Sequence, residues 1–157
     1  MTRISSLFVA IALLFEFGGM NVSDPPPAIP VEQTGVCRAS GIGQAFLSDA
    51  GAQALPVPAC DLAVWIGDAS VSFFRAGERT PLVMFSGRNG SGTGFNVELV
   101  GIGADPAREA TSGRCLRMGR FGVMCHAVFE QGGVRKGVAL TFATPVAPAK
   151  PARAALE

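Results

Sequence analysis

The chain has 157 residues, of which 48% are hydrophobic and only 16% charged, and its formal net charge at pH 7 is +1. This balance excludes a chain that is disordered throughout, and it excludes the strongly basic character of general nucleic-acid-binding domains. We therefore expect one folded domain without a nucleic-acid partner.

Residues 1–22 contain an apolar segment typical of export signals. Arg3 supplies a short positive region, and an unbroken apolar run extends from Leu7 to Phe15. No small-residue cleavage motif follows this run, so a cleaved signal peptide and a retained anchor in the inner membrane remain alternatives. A buried helix of a cytosolic protein is the third. Both export alternatives place the domain in the periplasm or outside the cell.

Composition divides the rest of the chain into three parts. Residues 23–35 are rich in proline, which favours an extended linker. Residues 36–143 carry the patterns of a folded domain, and residues 144–157 form a Pro/Ala-rich tail that we expect to be mobile.

The first half of the domain predicts one short helix followed by strands. Apolar residues recur at helical spacing between Gln44 and Leu55, and Pro56 ends this segment. Short apolar runs separated by turn signals then predict strands at Leu62–Ile66, Val71–Arg75, Pro81–Ser86 and Gly94–Ile102, with a loop over Arg88–Gly92. The apolar phase shifts at Val100 and Ile102, which indicates a β-bulge or a strand that crosses between layers.

The second half predicts an antiparallel meander. A two-residue turn at Gly132-Gly133 would pair strands 121–130 and 134–142 with their apolar faces together. It places Ala127 opposite Val138 and Cys125 opposite Leu140. A three-residue loop at Gly119–Phe121 would place Cys115 opposite Cys125 on the preceding strand, within disulfide range.

Four cysteines support an oxidising compartment. Their spacing lacks the C-x-x-C pattern of a metal site, and strand register favours the bridges Cys37–Cys60 and Cys115–Cys125 among three possible pairings. We predict an all-β fold, a small antiparallel sandwich or barrel of about seven strands, with one short helix near the start of the domain and two disulfides.

The chemistry-bearing residues are sparse. His126 is the only histidine, and alternation places it opposite in direction to Cys125, so a local Cys-His dyad is not expected. We therefore predict no catalytic residue, no cofactor and no metal site. The alternative is a copper site built from His126, Met118 and Met124, because imidazole and thioether groups are copper ligands.

One basic cluster is a candidate partner-binding surface. It comprises Arg114, Arg117, Arg120, Arg135 and Lys136. Such a cluster could contact an acidic partner or anionic headgroups, and the alternative is a strand edge protected by charge against aggregation.

These features predict a non-enzymatic envelope protein, exported or tethered to the membrane, which acts as a binding or assembly module for a protein partner in the cell envelope. A secreted inhibitor that presents a braced loop, at Gly87–Gly94 or Gly119–Phe121, is the alternative. A copper-binding protein or a small hydrolase is the third hypothesis.

Overall fold

The computed structural model describes residues 29–119 and 122–145. The predicted signal or anchor at 1–22, the start of the linker and the tail from residue 146 lie outside the described residues. Within the described part, no helix has the length and apolar character needed to cross a membrane. The elements are α1 (Gly41–Asp49) and the strands β1 (Val31–Thr34), β2 (Val36–Ala39), β3 (Gln53–Ala54), β4 (Leu62–Trp65), β5 (Ser70–Phe74), β6 (Val83–Ser91), β7 (Gly94–Ile102), β8 (Arg108–Arg117), β9 (Gly122–Gln131) and β10 (Val134–Ala143).

The strands form a nearly closed antiparallel barrel. From β4 to β10 each strand pairs with the next in the sequence. β1 adds to β4 at one end of this order, and β2 adds to β10 at the other. β1 and β2 are successive parts of one extended segment, separated only by Gly35. Because the first part pairs with β4 and the second with β10, this segment closes the sheet on itself.

The disulfide Cys37–Cys60 ties the closing segment to the chain just before β4. The amide of Cys37 also donates to the carbonyl of Cys60 over 3.0 Å, while Cys37 pairs with Phe142 on its other side. The closing strand is therefore held from both neighbours.

The predicted C-terminal meander is confirmed in its register. Ala127 lies opposite Val138 and Cys125 opposite Leu140, and Cys115 lies opposite Cys125, to which it is bridged. Two of the three residues of the predicted β8–β9 loop, 120 and 121, lie outside the described residues.

The predicted bulge in β7 is also present. Ser86 pairs with Leu99 and Gly87 pairs with Val97, so Glu98 is an extra residue without a partner in β6. The bulge lets Val97 and Val100 both face the core, although they are three positions apart.

Helix α1 packs on the outer face of the barrel. Ser40 caps it by accepting a 3.1 Å hydrogen bond from the amide of Gly43, which is why the helix begins before the predicted Gln44. Leu47 is buried against Val128 and Ala139, which are small enough to let the helix approach β9 and β10.

The barrel interior is filled mainly by aromatic and β-branched side chains. Phe73 contacts Phe85 with ring centroids 6.1 Å apart, and it contacts Phe142 at 5.7 Å. Together with Phe95 and Phe129 these rings are buried, so the centre of the barrel is a packed core.

Within residues 29–119 and 122–145, the all-β class, the single short helix and the two disulfides are confirmed, whereas the number of strands is wrong: there are ten rather than about seven. The three extra strands, β1 to β3, are two to four residues long and lie in the described part of the predicted linker and around α1. The predicted loop at Arg88–Gly92 is mostly strand, since β6 extends to Ser91.

Candidate binding site at the mouth of the barrel

One end of the barrel opens into a cavity of about 290 Å³, which we call the mouth cavity. It lies beside β1, the β4–β5 turn and the adjacent ends of β8 and β9. The lining residues are Ile29, Val31, Gln33, Trp65, Gly67, Asp68, Arg117, Gly119 and Gly122.

Strand alternation directs the two largest of these side chains inward. Trp65 follows the buried Ala63 by two positions on β4, and Arg117 follows the buried Cys115 by two positions on β8. Residues two apart on a strand share a face. Both side chains therefore point into the barrel, at the level where the packed core ends.

Arg117 stacks on Trp65. Its guanidinium carbon lies 3.9 Å from the centre of the indole ring, a cation–π arrangement. The indole Nε1 donates a 3.1 Å hydrogen bond to Oε1 of Gln33 on β1. The indole also meets Phe95 in a T-shaped arrangement, with centroids 6.3 Å apart, so the tryptophan is fixed by three neighbours.

Some of the hydrogen-bond donors of the Arg117 guanidinium have partners and one does not. Nη2 of Arg117 donates to the carbonyl oxygen of Gly67 and to Oδ1 of Asp68, each over 3.3 Å. Nε of Arg117 is buried without a hydrogen-bond partner. A buried donor without a partner is uncommon and costs free energy.

The rim of the mouth cavity is apolar. Ile29 and Val31, which line the cavity at its edge, are 84% and 57% exposed. Tryptophan and arginine at the centre of an apolar rim are the residue types that dominate the binding energy of protein interfaces.

The predicted basic cluster is spread over separate places. Arg117 enters the mouth cavity, whereas Arg114 is exposed on β8 opposite His126. Arg135 binds Glu130 over 3.3 Å and the carbonyl of Ala50 over 2.9 Å, at the end of α1. Lys136 lies next to it on β10, opposite Phe129 on β9, and Arg120 lies outside the described residues.

His126 lies on the outer face, as alternation predicts, and is covered by α1. Its ring stacks on Phe46 with centroids 4.0 Å apart, and its Nδ1 is buried without a partner. Burial lowers the pKa of the imidazole below its usual 6.5, and the nearby Arg114 guanidinium lowers it further. A neutral histidine is thereby favoured at this position.

The three residues of the copper hypothesis lie on one face of the sheet but do not form one cluster. Met124 and His126 are two positions apart on β9. Met118 lies across the hairpin, where its amide donates to the carbonyl of Gly122, the first residue of β9 and farther along the strand from His126 than Met124. Among the residues that the structure describes, no group of three or more His, Cys, Asp or Glu side chains is arranged to hold a metal ion.

A second depression, of about 360 Å³, lies beside the bulge in β7. Its charged residues are exposed, and Arg88 binds Glu98 across it over 2.9 Å. Since Arg88 and Glu98 neutralise each other in solvent and Glu109, the third charged residue, is exposed, this depression offers a ligand less than the mouth cavity does.

No protein family model, curated protein or solved structure matches this chain. Sequence reasoning missed Trp65 and Gln33 as site residues, and it assigned Arg117 to an external cluster. The signal that could have placed Arg117 is its spacing of two residues from Cys115, which was expected to face the core.

Proposed function

We propose that the protein is a non-enzymatic binding module of the cell envelope and that it holds its partner at the mouth cavity. The observation that carries the proposal is the stack of Arg117 on Trp65 at an open end of the barrel, with Nε of Arg117 lacking an acceptor. Such a preformed pair binds without first being ordered, which lowers the entropic cost of association.

The location rests on the two disulfides, which are typical of proteins in the periplasm or the extracellular space. The apolar segment at residues 1–22 supports delivery to that compartment, and tethering to the inner membrane if it is retained. A module tethered in this way would meet partners at the membrane surface.

A photo-reactive amino acid tests the proposal. It replaces Val31 on the rim of the mouth cavity in one variant, and Val134 at the start of β10, at the other end of the barrel, in a matched control. The two positions are 57% and 46% exposed, so random collision labels them alike.

We expect a discrete cross-linked product from Val31 in intact source cells, none from Val134, and loss of the product when Arg117→Gln is added. Failure to obtain a product from Val31, or equal products from both positions, would contradict the proposal. The identity of the product matters as well. An envelope protein supports an assembly role, and a soluble enzyme whose activity falls on binding would favour the inhibitor alternative.

A further inference from the structure

One side of β1 carries backbone groups that the described sheet leaves open. The amides of Gly35 and Cys37 donate to the carbonyls of Asp61 and Cys60, each over 3.0 Å, on the β4 side of the closing segment. Alternate residues of a strand point their N–H and C=O groups to opposite sides. Those of Glu32 and Thr34 therefore point away from β4.

Within residues 29–119 and 122–145, no strand pairs with this side of β1, which stands at one end of the strand order. The register of β2 with β10 places Ala143 opposite Val36, so the chain two residues farther on would meet Thr34. That residue is Pro145, which has no N–H to donate. The continuation of β10 is thus a poor partner for the edge.

The open edge borders the mouth cavity, because Val31 and Gln33 line that cavity. A strand added to the edge would place the residues opposite Val31 and Gln33 on the inward face, over Trp65 and Arg117. An acidic side chain there could pair with the guanidinium of Arg117, whose side chain is 27% exposed.

We propose that the mouth binds an extended peptide segment of the partner by strand addition to β1, with a carboxylate side chain of that segment directed at Arg117. The proposal rests on the proposed function, since it specifies how the mouth cavity recognises its partner. Main-chain hydrogen bonds to Glu32 and Thr34 provide affinity, and the cavity selects the acidic side chain.

The experiment begins with a phage-displayed library of random twelve-residue peptides, selected on the full chain. We expect the enriched peptides to share an acidic residue flanked by β-branched or aromatic residues at alternate positions. One enriched peptide is then synthesised, together with a copy in which glutamine or asparagine replaces the acidic residue. Binding is followed by the fluorescence of Trp65, the only tryptophan of the chain.

The variant Glu32→Pro removes one outward N–H while leaving the bonds between β1 and β4 in place, and proline is tolerated at such an edge position. Glu32→Ala keeps the N–H and serves as the matched control. We expect Glu32→Pro to weaken binding about tenfold, the loss of roughly one hydrogen bond, and Glu32→Ala to change it less than about threefold. Arg117→Gln should weaken the acidic peptide about tenfold and leave its amide copy unchanged.

Equal binding by Glu32→Pro and Glu32→Ala would overturn strand addition while leaving the cross-link from Val31 intact, so the two proposals fail separately. Absence of any enriched peptide would also overturn it. A concentration-dependent dimer that Glu32→Pro abolishes would show a second copy at the edge instead. A gain of affinity in a chain ending at Pro145 would show that the protein's own C-terminal residues occupy it.

Discussion

The disulfide Cys37–Cys60 makes a quantitative prediction about barrel closure. Replacing both cysteines by valine removes the bridge while keeping apolar side chains of similar volume. In the loop-entropy account, a bridge across 23 residues stabilises the folded chain by about 3.4 kcal/mol, and one across 10 residues, as in Cys115–Cys125, by about 2.7 kcal/mol.

The structure gives a second reason to expect the larger loss of stability when the bridge Cys37–Cys60 is removed. Cys60 precedes β4 in a stretch without regular structure and is held to β2 by a single backbone hydrogen bond, from Cys37. Cys115 and Cys125 lie in two strands that pair along most of their length. Loss of the first bridge therefore also loosens the strand that closes the barrel.

Urea unfolding followed by the fluorescence of Trp65 measures both losses. We expect Cys37→Val/Cys60→Val to lower the free energy of unfolding by at least about 3 kcal/mol and the melting temperature by roughly 10–15 °C. The matched variant Cys115→Val/Cys125→Val should lower the free energy of unfolding by less. A loss below about 1 kcal/mol for the first variant, or a larger loss for the second, would refute the reasoning that the first bridge secures closure.

Two further predictions concern the contact between α1 and the barrel. The pKa of His126 is lowered in the folded chain, so the unfolded chain takes up the proton first and the free energy of unfolding falls as pH drops below 6.5 towards the folded pKa. We therefore expect the urea midpoint to fall more steeply between pH 7 and pH 5 for the natural chain than for His126→Gln. Parallel curves for the two proteins would contradict this origin. Gly43→Ala would place a Cβ 2.7 Å from the Cβ of Ala139, whereas a Cβ at Gly41 meets nothing within 4 Å. We expect Gly43→Ala to lower the free energy of unfolding by about 1–2 kcal/mol and Gly41→Ala not to lower it, as measured by the same urea unfolding. Equal stabilities of the two variants would show that the helix is not packed as closely as described.

The C-terminal meander could be predicted to the residue because its information is local. The Gly132-Gly133 turn and the alternation on either side of it determine the register together, and a shift by one residue would turn every apolar side chain outward. The bridge Cys115–Cys125 followed from the same arithmetic. The bulge at Glu98 was visible as a change of apolar phase.

Closure of the barrel could not be predicted in this way. β2 pairs with β10 across about a hundred residues of sequence, as Cys37 with Phe142 shows, and no local pattern records such a contact. β1 adjoins a proline-rich stretch and its side chains are largely exposed, so it lacks the alternation of a half-buried strand. Trp65 could not be identified either, because it lies in the continuous apolar run Leu62–Ile66, in which the inward face cannot be identified from the sequence alone.

The closing segment also has a consequence for the order in which the chain folds. Its pairing with β4 and the bridge Cys37–Cys60 involve only residues before β5, whereas its pairing with β10 requires the last strand of the barrel. The first half can thus be joined covalently before β10 has taken its place in the sheet. Because the long-range pairing must wait, we expect closure to be the final and slow event of folding. Until β10 arrives, the aromatic interior stays open to water, and the unfinished barrel is the species most exposed to aggregation.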